Sequence, residues 1–162
     1  MLANLHAKAQ AIIDNYTARG EIIALAESCT GGLVASLLTS IAGSSAVLDR
    51  GLVTYSNQSK MDLLGVSADI LETHGAVSRE CAEAMVRGLL ASCPAAAAGV
   101  AITGIAGPSG GSAGKPVGLV YIAAMRRNGQ PKIEQHYFAG DRQAVQYMAA
   151  NSAMDALLID TH

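Results

Sequence analysis

The feature of this sequence that most constrains its fold is the order in which short apolar segments alternate with helical ones. The apolar runs are rich in β-branched and aliphatic residues, and the segments between them show helical spacing. The last two runs flank Asn128-Gly129, a strong hairpin signal. This order predicts a mixed sheet covered by helices on both faces. The predicted strands are 21–26, 46–55, 98–104, 117–127 and 132–139.

The predicted helices have recognisable ends. Asn57, Ser67 and Ser78 are expected N-caps, because their side chains can accept a backbone N–H at a helix start. Gly75 and Pro94 are expected to end two of these helices. The predicted helices are 2–19, 31–40, 57–64, 67–75, 78–93 and 141–159.

The composition indicates a packed core of small aliphatic side chains. Of the 162 residues, 51% are apolar and 15% are charged, which is unlike a disordered chain. There is no Trp and one Phe, so Ala, Leu, Ile and Val must fill the core. Such small side chains let helices and strands approach one another closely.

Charge and cysteine content exclude several classes of function. The net charge is −2 and there is no dense run of Lys or Arg, so we expect no nucleic-acid partner. Cys29, Cys81 and Cys93 lack metal-like spacing, so neither a disulfide scaffold nor a zinc site is expected. No apolar stretch reaches the ~18 residues of a membrane helix, and no cleavable leader is visible. We therefore expect a cytoplasmic protein without a membrane partner.

Three small polar side chains, Ser28, Cys29 and Thr30, stand where a predicted strand meets a helix that starts with Gly31 and Gly32. Helix capping is the simpler role for the two hydroxyls, and a small buried side chain is the commoner role of a cysteine. The alternative is a serine nucleophile, because unpaired amides at a helix start can hold an oxyanion. The G-x-S-x-G pattern of a nucleophile elbow is absent. Spacing alone leaves both interpretations open.

Lys60 is expected in the first turn of a helix capped by Asn57, where the partly positive helix end disfavours a cation. One interpretation is a solvated lysine that tolerates this small penalty. The other is a general base with a lowered pKa, helped by Tyr55 at the end of the preceding strand. The four histidines are scattered and do not support a Ser-His-Asp triad. Lys60 is therefore the best available base for Ser28.

A glycine-rich loop follows the third predicted strand. Loops of this kind expose backbone amides and often cradle phosphate, although a Walker A motif is absent because Pro116 follows Lys115. Arg142, beside the start of the last helix, is a candidate for an added phosphate contact. The alternatives are a flexible surface loop and an exposed arginine. The glycines of the loop are Gly104, Gly107, Gly110, Gly111, Gly114 and Gly118.

Four blocks of the chain together resemble the CinA carboxy-terminal domain family: AESCTGG (26–32), GLVTYSNQSK (51–60), HGAVSRE (74–80) and AITGIAGPSGG (101–111). The resemblance implies a three-layer α/β/α sandwich with a mixed, mostly parallel sheet, formed as one domain over residues 1–162. Larger CinA proteins carry a further amino-terminal domain that this sequence lacks. We therefore expect the stand-alone form, whose members are nicotinamide mononucleotide amidohydrolases.

The resemblance implies hydrolysis of the carboxamide of nicotinamide mononucleotide to nicotinate mononucleotide and ammonia, in pyridine nucleotide recycling. It implies neither a metal nor a cofactor. It places the serine nucleophile at Ser28 and its assisting residues at Tyr55 and Lys60, and it adds Thr103 and Arg142 to the substrate site. Together with the glycine turns, the expected substrate-binding residues are Thr30, Gly31, Gly32, Thr103, Gly104, Gly107 and Arg142.

Two other classes stay open at this point. A non-catalytic nucleotide-binding or regulatory module, linked to competence or DNA damage, would keep the loops without needing Lys60. A thiol hydrolase would use Cys29 as its nucleophile. For any of these classes we expect a small-molecule ligand and a homo-oligomer, with a dimer as the expected state.

Overall fold

The computed structural model describes residues 1–159, in which five strands form one sheet in the order β2-β1-β3-β4-β5. β1 pairs in parallel with β2 and β3, whereas β4 is antiparallel to both of its neighbours. Four strands therefore run in one direction and β4 runs in the other, which confirms the mixed, mostly parallel sheet. The strands are β1 Ile22–Glu27, β2 Leu48–Val53, β3 Ala96–Gly104, β4 Leu119–Arg126 and β5 Lys132–Tyr137.

Helices cover both faces of the sheet. Within the described residues, none of them has the length and apolar character needed to span a bilayer. A short 3₁₀ helix at Ser44–Ala46, which the sequence did not predict, leads into β2. The α-helices are α1 Leu2–Arg19, α2 Leu33–Thr39, α3 Asn57–Leu64, α4 Ala68–His74, α5 Arg79–Ser92 and α6 Arg142–Ile159.

The alternation of side chains along β1 explains the three layers. Successive residues of a strand face opposite sides of the sheet. Ile23 and Leu25 belong to a buried cluster with α1, α2 and α6, whereas Ala24 and Ala26 belong to a second cluster with α3 and α5. The central strand therefore carries two separate cores, and the expected α/β/α sandwich is confirmed.

A glycine sets the distance between the two helices nearest to the candidate base. A Cβ atom on Gly88 of α5 would lie 1.7 Å from the carbonyl oxygen of Leu64, the last residue of α3. Only a residue without a side chain permits this approach. Because Lys60 belongs to α3, this close packing of α3 against α5 also fixes the position of the lysine.

Several predicted boundaries shift by one or two residues. β1 includes Glu27, and α2 begins only at Leu33 because Gly31 and Gly32 have φ values of 60° and 96°, outside the helical region. The predicted cap at Asn57 is wrong. Ser56 caps α3 instead, by accepting the N–H of Ser59 at 3.0 Å.

Other local predictions are confirmed. Ser67 and Ser78 cap α4 and α5, accepting the N–H groups of Ile70 and Cys81 at 3.2 and 3.1 Å. Asn128 has a φ of 65°, as the tight turn between β4 and β5 requires. These two caps and this turn were readable from the sequence because each depends on residues only a few positions apart.

Candidate active site

Ser28 follows directly after β1, and hydrogen bonds of its backbone N–H and carbonyl groups fix its position. Its N–H donates to the carbonyl of Ile102 in β3 at 3.0 Å, and its carbonyl accepts the N–H of Gly31 at the same distance. The residue is 8% exposed. The hydroxyl therefore lies at the carboxyl ends of two parallel strands, which is where α/β sheets bind their ligands.

The start of α2 is capped by a residue that the sequence analysis did not single out. The two carboxylate oxygens of Glu27 accept the N–H groups of Val34 and Ala35 at 2.9 and 3.1 Å. The N-cap position itself is Gly32, with no side-chain cap. The capping interpretation of Ser28 and Thr30 is therefore wrong, and the amides of Leu33, Val34 and Ala35 in the first turn of α2 are not free.

Lys60, which belongs to α3, contacts the side chain of Ser28. Its Nζ lies 3.1 Å from the Oγ of Ser28 and donates to the carbonyl of Thr54 at 2.8 Å. Both partners are uncharged oxygens. Lys60 is 1% exposed, so the interpretation as a solvated lysine is wrong. The serine hydroxyl and the lysine amine form a buried pair, which we call the buried dyad (Ser28 and Lys60).

Burial controls the protonation of this lysine. Desolvation lowers the pKa of Lys60 below its ordinary value of 10.5, because the ammonium form loses its hydration inside the protein. Burial is the largest cause, rather than the helix end that the sequence suggested. A neutral amine beside a hydroxyl can accept its proton, which is what a general base must do.

Cys29 is adjacent to Ser28 but has the opposite character. The residue is buried, and burial raises the pKa of its thiol to about 12. The thiolate, which is the nucleophilic form, is therefore scarce at neutral pH. The carbonyl of Cys29 accepts a hydrogen bond from the side chain of Gln146 in α6 at 2.9 Å. This environment favours Ser28 over Cys29 as a nucleophile and gives Cys29 a packing role.

A cavity of about 210 Å³ opens beside Ser28. Its wall consists of Ser28, Cys29, Tyr55, Arg142 and residues of the segment 104–110. Small-molecule pockets usually measure roughly 300–1,000 Å³. An elongated ligand would therefore place one end against Ser28 and leave the remainder at the opening, near Tyr55 and Arg142.

The glycine loop is fixed at both ends and offers donors in between. The N–H of Ile105 donates to the carbonyl of Leu119 at 2.9 Å, and the N–H of Gly118 donates to the carbonyl of Ile105 at 2.8 Å. Within residues 1–159, no acceptor receives the amides of the cavity-lining residues Ala106, Gly107, Ser109 and Gly110. The loop thus presents unpaired N–H groups suited to an anion. The part of the chain that the structure describes contains no group of three His, Cys, Asp or Glu side chains placed to hold a metal.

The opening of the cavity is formed by what we call the mouth cluster (Tyr55, Arg142 and Gly107). Arg142 donates to the carbonyl of Gly107 at 2.7 Å and to the hydroxyl of Tyr55 at 2.8 Å. Neither acceptor carries a charge. The carboxylate of the neighbouring Asp141 accepts the N–H of Ala144 at the start of α6. The guanidinium charge is therefore available to an anionic ligand.

Tyr55 lies in the mouth cluster rather than in the buried dyad. Tyr55 is 60% exposed, and its hydroxyl is bonded to Arg142 rather than to Ser28 or Lys60. The geometry brings the predicted catalytic residues Ser28 and Lys60 into direct contact, with Tyr55 at the same cavity but on its outer rim.

Four predicted substrate-binding residues are absent from the cavity wall. Thr103 is 1% exposed and donates to the carbonyl of Ala76 at 2.7 Å, which ties β3 to the segment before α5. Thr30 is buried, and its hydroxyl has no hydrogen-bond partner among the described residues. Gly31 and Gly32 shape the turn through their positive φ values. Gly104, Gly107 and Arg142 do line the cavity.

Glu27 is the residue beside the candidate site that sequence reasoning missed. A signal for it was present, because the helix start carries Gly32 where a capping side chain would stand. A glycine cannot cap with its side chain, so the cap must come from elsewhere. The carboxylate directly after the buried apolar strand was the nearest preceding acceptor with sufficient reach.

Comparison with known proteins assigns the chain to a family. The profile of the CinA C-terminal domain matches residues 5–160, nearly the full length. The chain belongs to the CinA C-terminal domain family. This assignment confirms the resemblance seen in the four sequence blocks.

Relatives of this CinA domain carry two kinds of name. This CinA domain is 48% identical over 141 residues to the nicotinamide-nucleotide amidohydrolase PncC of Enterobacter agglomerans. The match covers 87% of this chain and 85% of the relative. The domain is 50% identical over 146 residues to a CinA-like protein of Anaeromyxobacter dehalogenans strain 2CP-C, covering 90% of this chain. The matched segment is 35% of that relative, so this CinA domain spans about a third of the longer protein.

Solved structures show the same architecture. The crystal structure of the competence/damage inducible protein CihA from Agrobacterium tumefaciens superposes with a TM-score of 0.93 at 46% identity, covering 98% of this CinA domain and 95% of that chain. A CinA superfamily protein from Klebsiella pneumoniae gives a TM-score of 0.91 at 38% identity, covering 97% of both chains. The fold of this CinA domain is therefore shared over nearly all of the chain.

Proposed function

We propose that this chain hydrolyses the carboxamide of nicotinamide mononucleotide, giving nicotinate mononucleotide and ammonia, with Ser28 as the nucleophile. The observation that carries the proposal is the buried dyad, in which the Lys60 amine lies 3.1 Å from the Ser28 hydroxyl. The name of the Enterobacter agglomerans relative supplies the substrate. The proposed setting is pyridine nucleotide recycling in the cytoplasm, and a homodimer remains a prediction.

The first chemical step is acyl transfer to Ser28. The neutral amine of Lys60 accepts the hydroxyl proton while the Ser28 oxygen attacks the carboxamide carbon. A C–O bond forms, and the carbonyl π electrons move onto oxygen to give a tetrahedral oxyanion. Amides of the turn at 29–32 hold that oxyanion. Transition-state charge is stabilised best by such fixed donors.

The second step expels ammonia. The Lys60 ammonium returns its proton to the leaving nitrogen, the C–N bond breaks, and an ester joins Ser28 to the nicotinate group. Water then attacks the ester while Lys60 again accepts a proton. Lys60 returns that proton to the Ser28 oxygen as the C–O bond of the ester breaks, and nicotinate mononucleotide is released. The lowered pKa of Lys60 supports both roles, because the same group must accept and donate a proton near neutral pH.

The mouth cluster and the glycine loop would hold the 5′-phosphate. Arg142 offers a charge paired only with neutral oxygens, and the loop offers unpaired amides at Gly107 and Gly110. Phosphate is recognised by this combination of guanidinium and backbone donors. Tyr55 is the alternative proton carrier, although its bond to Arg142 better supports a role in orienting the guanidinium.

The competing classes make different demands on the site. A thiol hydrolase would need an ionised Cys29, and the pKa of about 12 for that buried thiol opposes it. A non-catalytic nucleotide-binding module would not need an amine buried against a serine. Burying an ammonium-forming group is costly, which favours a catalytic explanation for Lys60.

The proposal is tested by incubating the purified chain with nicotinamide mononucleotide and measuring ammonia and nicotinate mononucleotide in equal amounts. The Ser28→Ala variant, purified identically, serves as the control for contaminating amidases. Product formation by the parent chain but not by the variant is the expected result. A folded parent chain that binds the nucleotide without forming either product would favour the non-catalytic class instead.

A further inference from the structure

The carboxylate of Glu27 joins the two ends of the segment that contains the nucleophile. Glu27 is the last residue of β1 and is 1% exposed. Its side chain reaches across the turn to Val34 and Ala35 in the first turn of α2, while its carbonyl accepts the N–H of Thr54 after β2. One residue therefore ties together a strand, a helix and the neighbouring strand end around Ser28.

The backbone amides near Ser28 differ in whether another residue already accepts their hydrogen bond. The N–H groups of Val34 and Ala35 are taken by the carboxylate, and the N–H of Ser28 is taken by Ile102. Within the described residues, by contrast, no other residue accepts the amides of Cys29, Thr30 and Gly32. Since Cys29 follows Ser28 directly and also lines the cavity, this turn offers backbone donors beside the position where an oxyanion would form.

From this arrangement we propose that Glu27 is a positioning residue, whose carboxylate holds the turn at 29–32 in the shape that receives the oxyanion. The inference rests on the proposed amide hydrolysis by Ser28. Glu27 does not touch the cavity, so it acts through the turn rather than on the substrate.

The negative charge matters for this role. Both oxygens of a carboxylate accept hydrogen bonds, so the side chain can hold two amides at once. A glutamine offers one oxygen and turns an NH₂ group toward the second amide. Residues 1–159 supply no ion-pair partner for Glu27, and burying an unpaired carboxylate is costly. The two hydrogen bonds from Val34 and Ala35, at the partly positive start of α2, offset that cost.

The direct test is Glu27→Gln, which keeps the size of the side chain. We expect kcat for nicotinamide mononucleotide to fall about 10- to 100-fold, because small displacements of catalytic groups have effects of this size. KM should change less than about threefold, since the proposed phosphate contacts belong to other segments. A fall in kcat with a nearly constant KM is the expected signature of lost transition-state stabilisation.

Ser67→Ala is the matched control. Ser67 caps α4 by accepting the N–H of Ile70, just as Glu27 caps α2, but it takes no part in the candidate site. This variant should lower Tm by a few degrees and leave kcat unchanged. If Ser67→Ala and Glu27→Gln lower kcat equally at equal loss of Tm, Glu27 is a structural cap and the inference fails.

A second measurement does not depend on the substrate. A fluorophosphonate labels an activated serine by forming an O–P bond as the P–F bond breaks, releasing fluoride, while the hydroxyl proton passes to the base. The rate of Ser28 labelling, followed by intact mass, should fall in Glu27→Gln by a factor similar to the fall in kcat. Unchanged labelling with unchanged kcat would overturn the positioning role.

The two measurements separate the inference from the proposed function. If the parent chain is labelled at Ser28 but does not hydrolyse the nucleotide, the proposed substrate is wrong, and slower labelling of Glu27→Gln still supports the inference. If the parent chain hydrolyses the nucleotide and Glu27→Gln does so equally fast, the inference alone is wrong. A folded parent chain that is neither labelled nor active overturns both.

Discussion

The buried dyad and the mouth cluster lie at one cavity but are built in opposite ways. The dyad joins residues that are 8% and 1% exposed and that are delivered by the end of β1 and by α3. The mouth cluster includes Tyr55, which is 60% exposed, and depends on two hydrogen bonds from one guanidinium. Reacting groups need fixed geometry, whereas a site that admits and releases a ligand needs an open side.

The same contrast decides where positive charge is kept. Burial lowers the pKa of Lys60, so the interior cation gives up its proton readily. Arg142 is at the surface, bonded to neutral oxygens, and a guanidinium retains its charge at physiological pH. In the proposed reaction the buried dyad supplies a base and the mouth cluster supplies a binding charge, and the difference in burial accounts for both.

Removing the nucleophile should produce the largest effect. We expect Ser28→Ala to lower kcat by at least about 10⁴-fold, because no other group in the dyad can form the acyl intermediate. Cys29→Ala should keep most of the activity, since the buried thiol is not ionised. Steady-state rates of ammonia release measure both. An inactive Cys29→Ala beside an active Ser28→Ala would reverse the assignment.

Removing the base should have the next largest effect. Lys60→Met keeps most of the apolar stem, and Lys60→Arg keeps a cation that does not deprotonate in the accessible range. Both should lower kcat/KM by at least about 10²-fold, the usual contribution of a general base. Circular dichroism and thermal unfolding establish that each variant is folded. Nearly full activity of folded Lys60→Arg would show that Lys60 serves as a positive charge and that the base lies elsewhere.

Lys60 also predicts a pH dependence with a definite sign. Its pKa is lowered in the folded state, so kcat/KM should rise with pH as the free enzyme loses this proton. For stability, the unfolded chain retains the proton in a pH range where the folded chain has released it. The free energy of unfolding should therefore rise with pH between the lowered pKa and the ordinary value of 10.5. Urea unfolding of the parent and of Lys60→Met should show the rise only in the parent.

The elements of the fold were readable from local signals, and the dyad was not. Helical spacing, the caps Ser67 and Ser78 and the turn at Asn128 each involve residues a few positions apart. The contact between Ser28 and Lys60 spans 32 positions and depends on how β1, β2 and α3 assemble. Residue chemistry identified both as candidates, but their distance required the tertiary structure.

The mistaken details share one physical cause. Asn57 was taken as a cap although Ser56, one residue earlier, makes the bond, and Glu27 was overlooked because its partners lie seven and eight residues away. In both cases more than one side chain near the helix start was a candidate cap, and local geometry rather than residue type decided which one makes the bond.

A change at the mouth should affect binding more than chemistry. Arg142→Ala should lower kcat/KM for the nucleotide about 10- to 100-fold, since a charge-assisted hydrogen bond contributes roughly 1.5–3 kcal/mol. The riboside, which lacks the phosphate, should lose little. The comparison requires both substrates to be assayed with the same enzyme preparations. Equal losses on the two substrates would mean that Arg142 holds the cavity in shape instead of binding phosphate.

The smallest effect should come from Tyr55→Phe, which removes one hydroxyl and keeps the ring. If Tyr55 only orients Arg142, the loss is one exposed hydrogen bond, and kcat/KM for the nucleotide should fall about two- to tenfold. The effect should disappear in the Arg142→Ala background, because the hydroxyl then has no guanidinium to orient. The rise of kcat/KM with pH should persist, since it belongs to Lys60. A fall of about 10²-fold that persists without Arg142 would instead place Tyr55 in the proton transfer, and the mouth of the cavity would then share in the chemistry assigned here to the buried dyad.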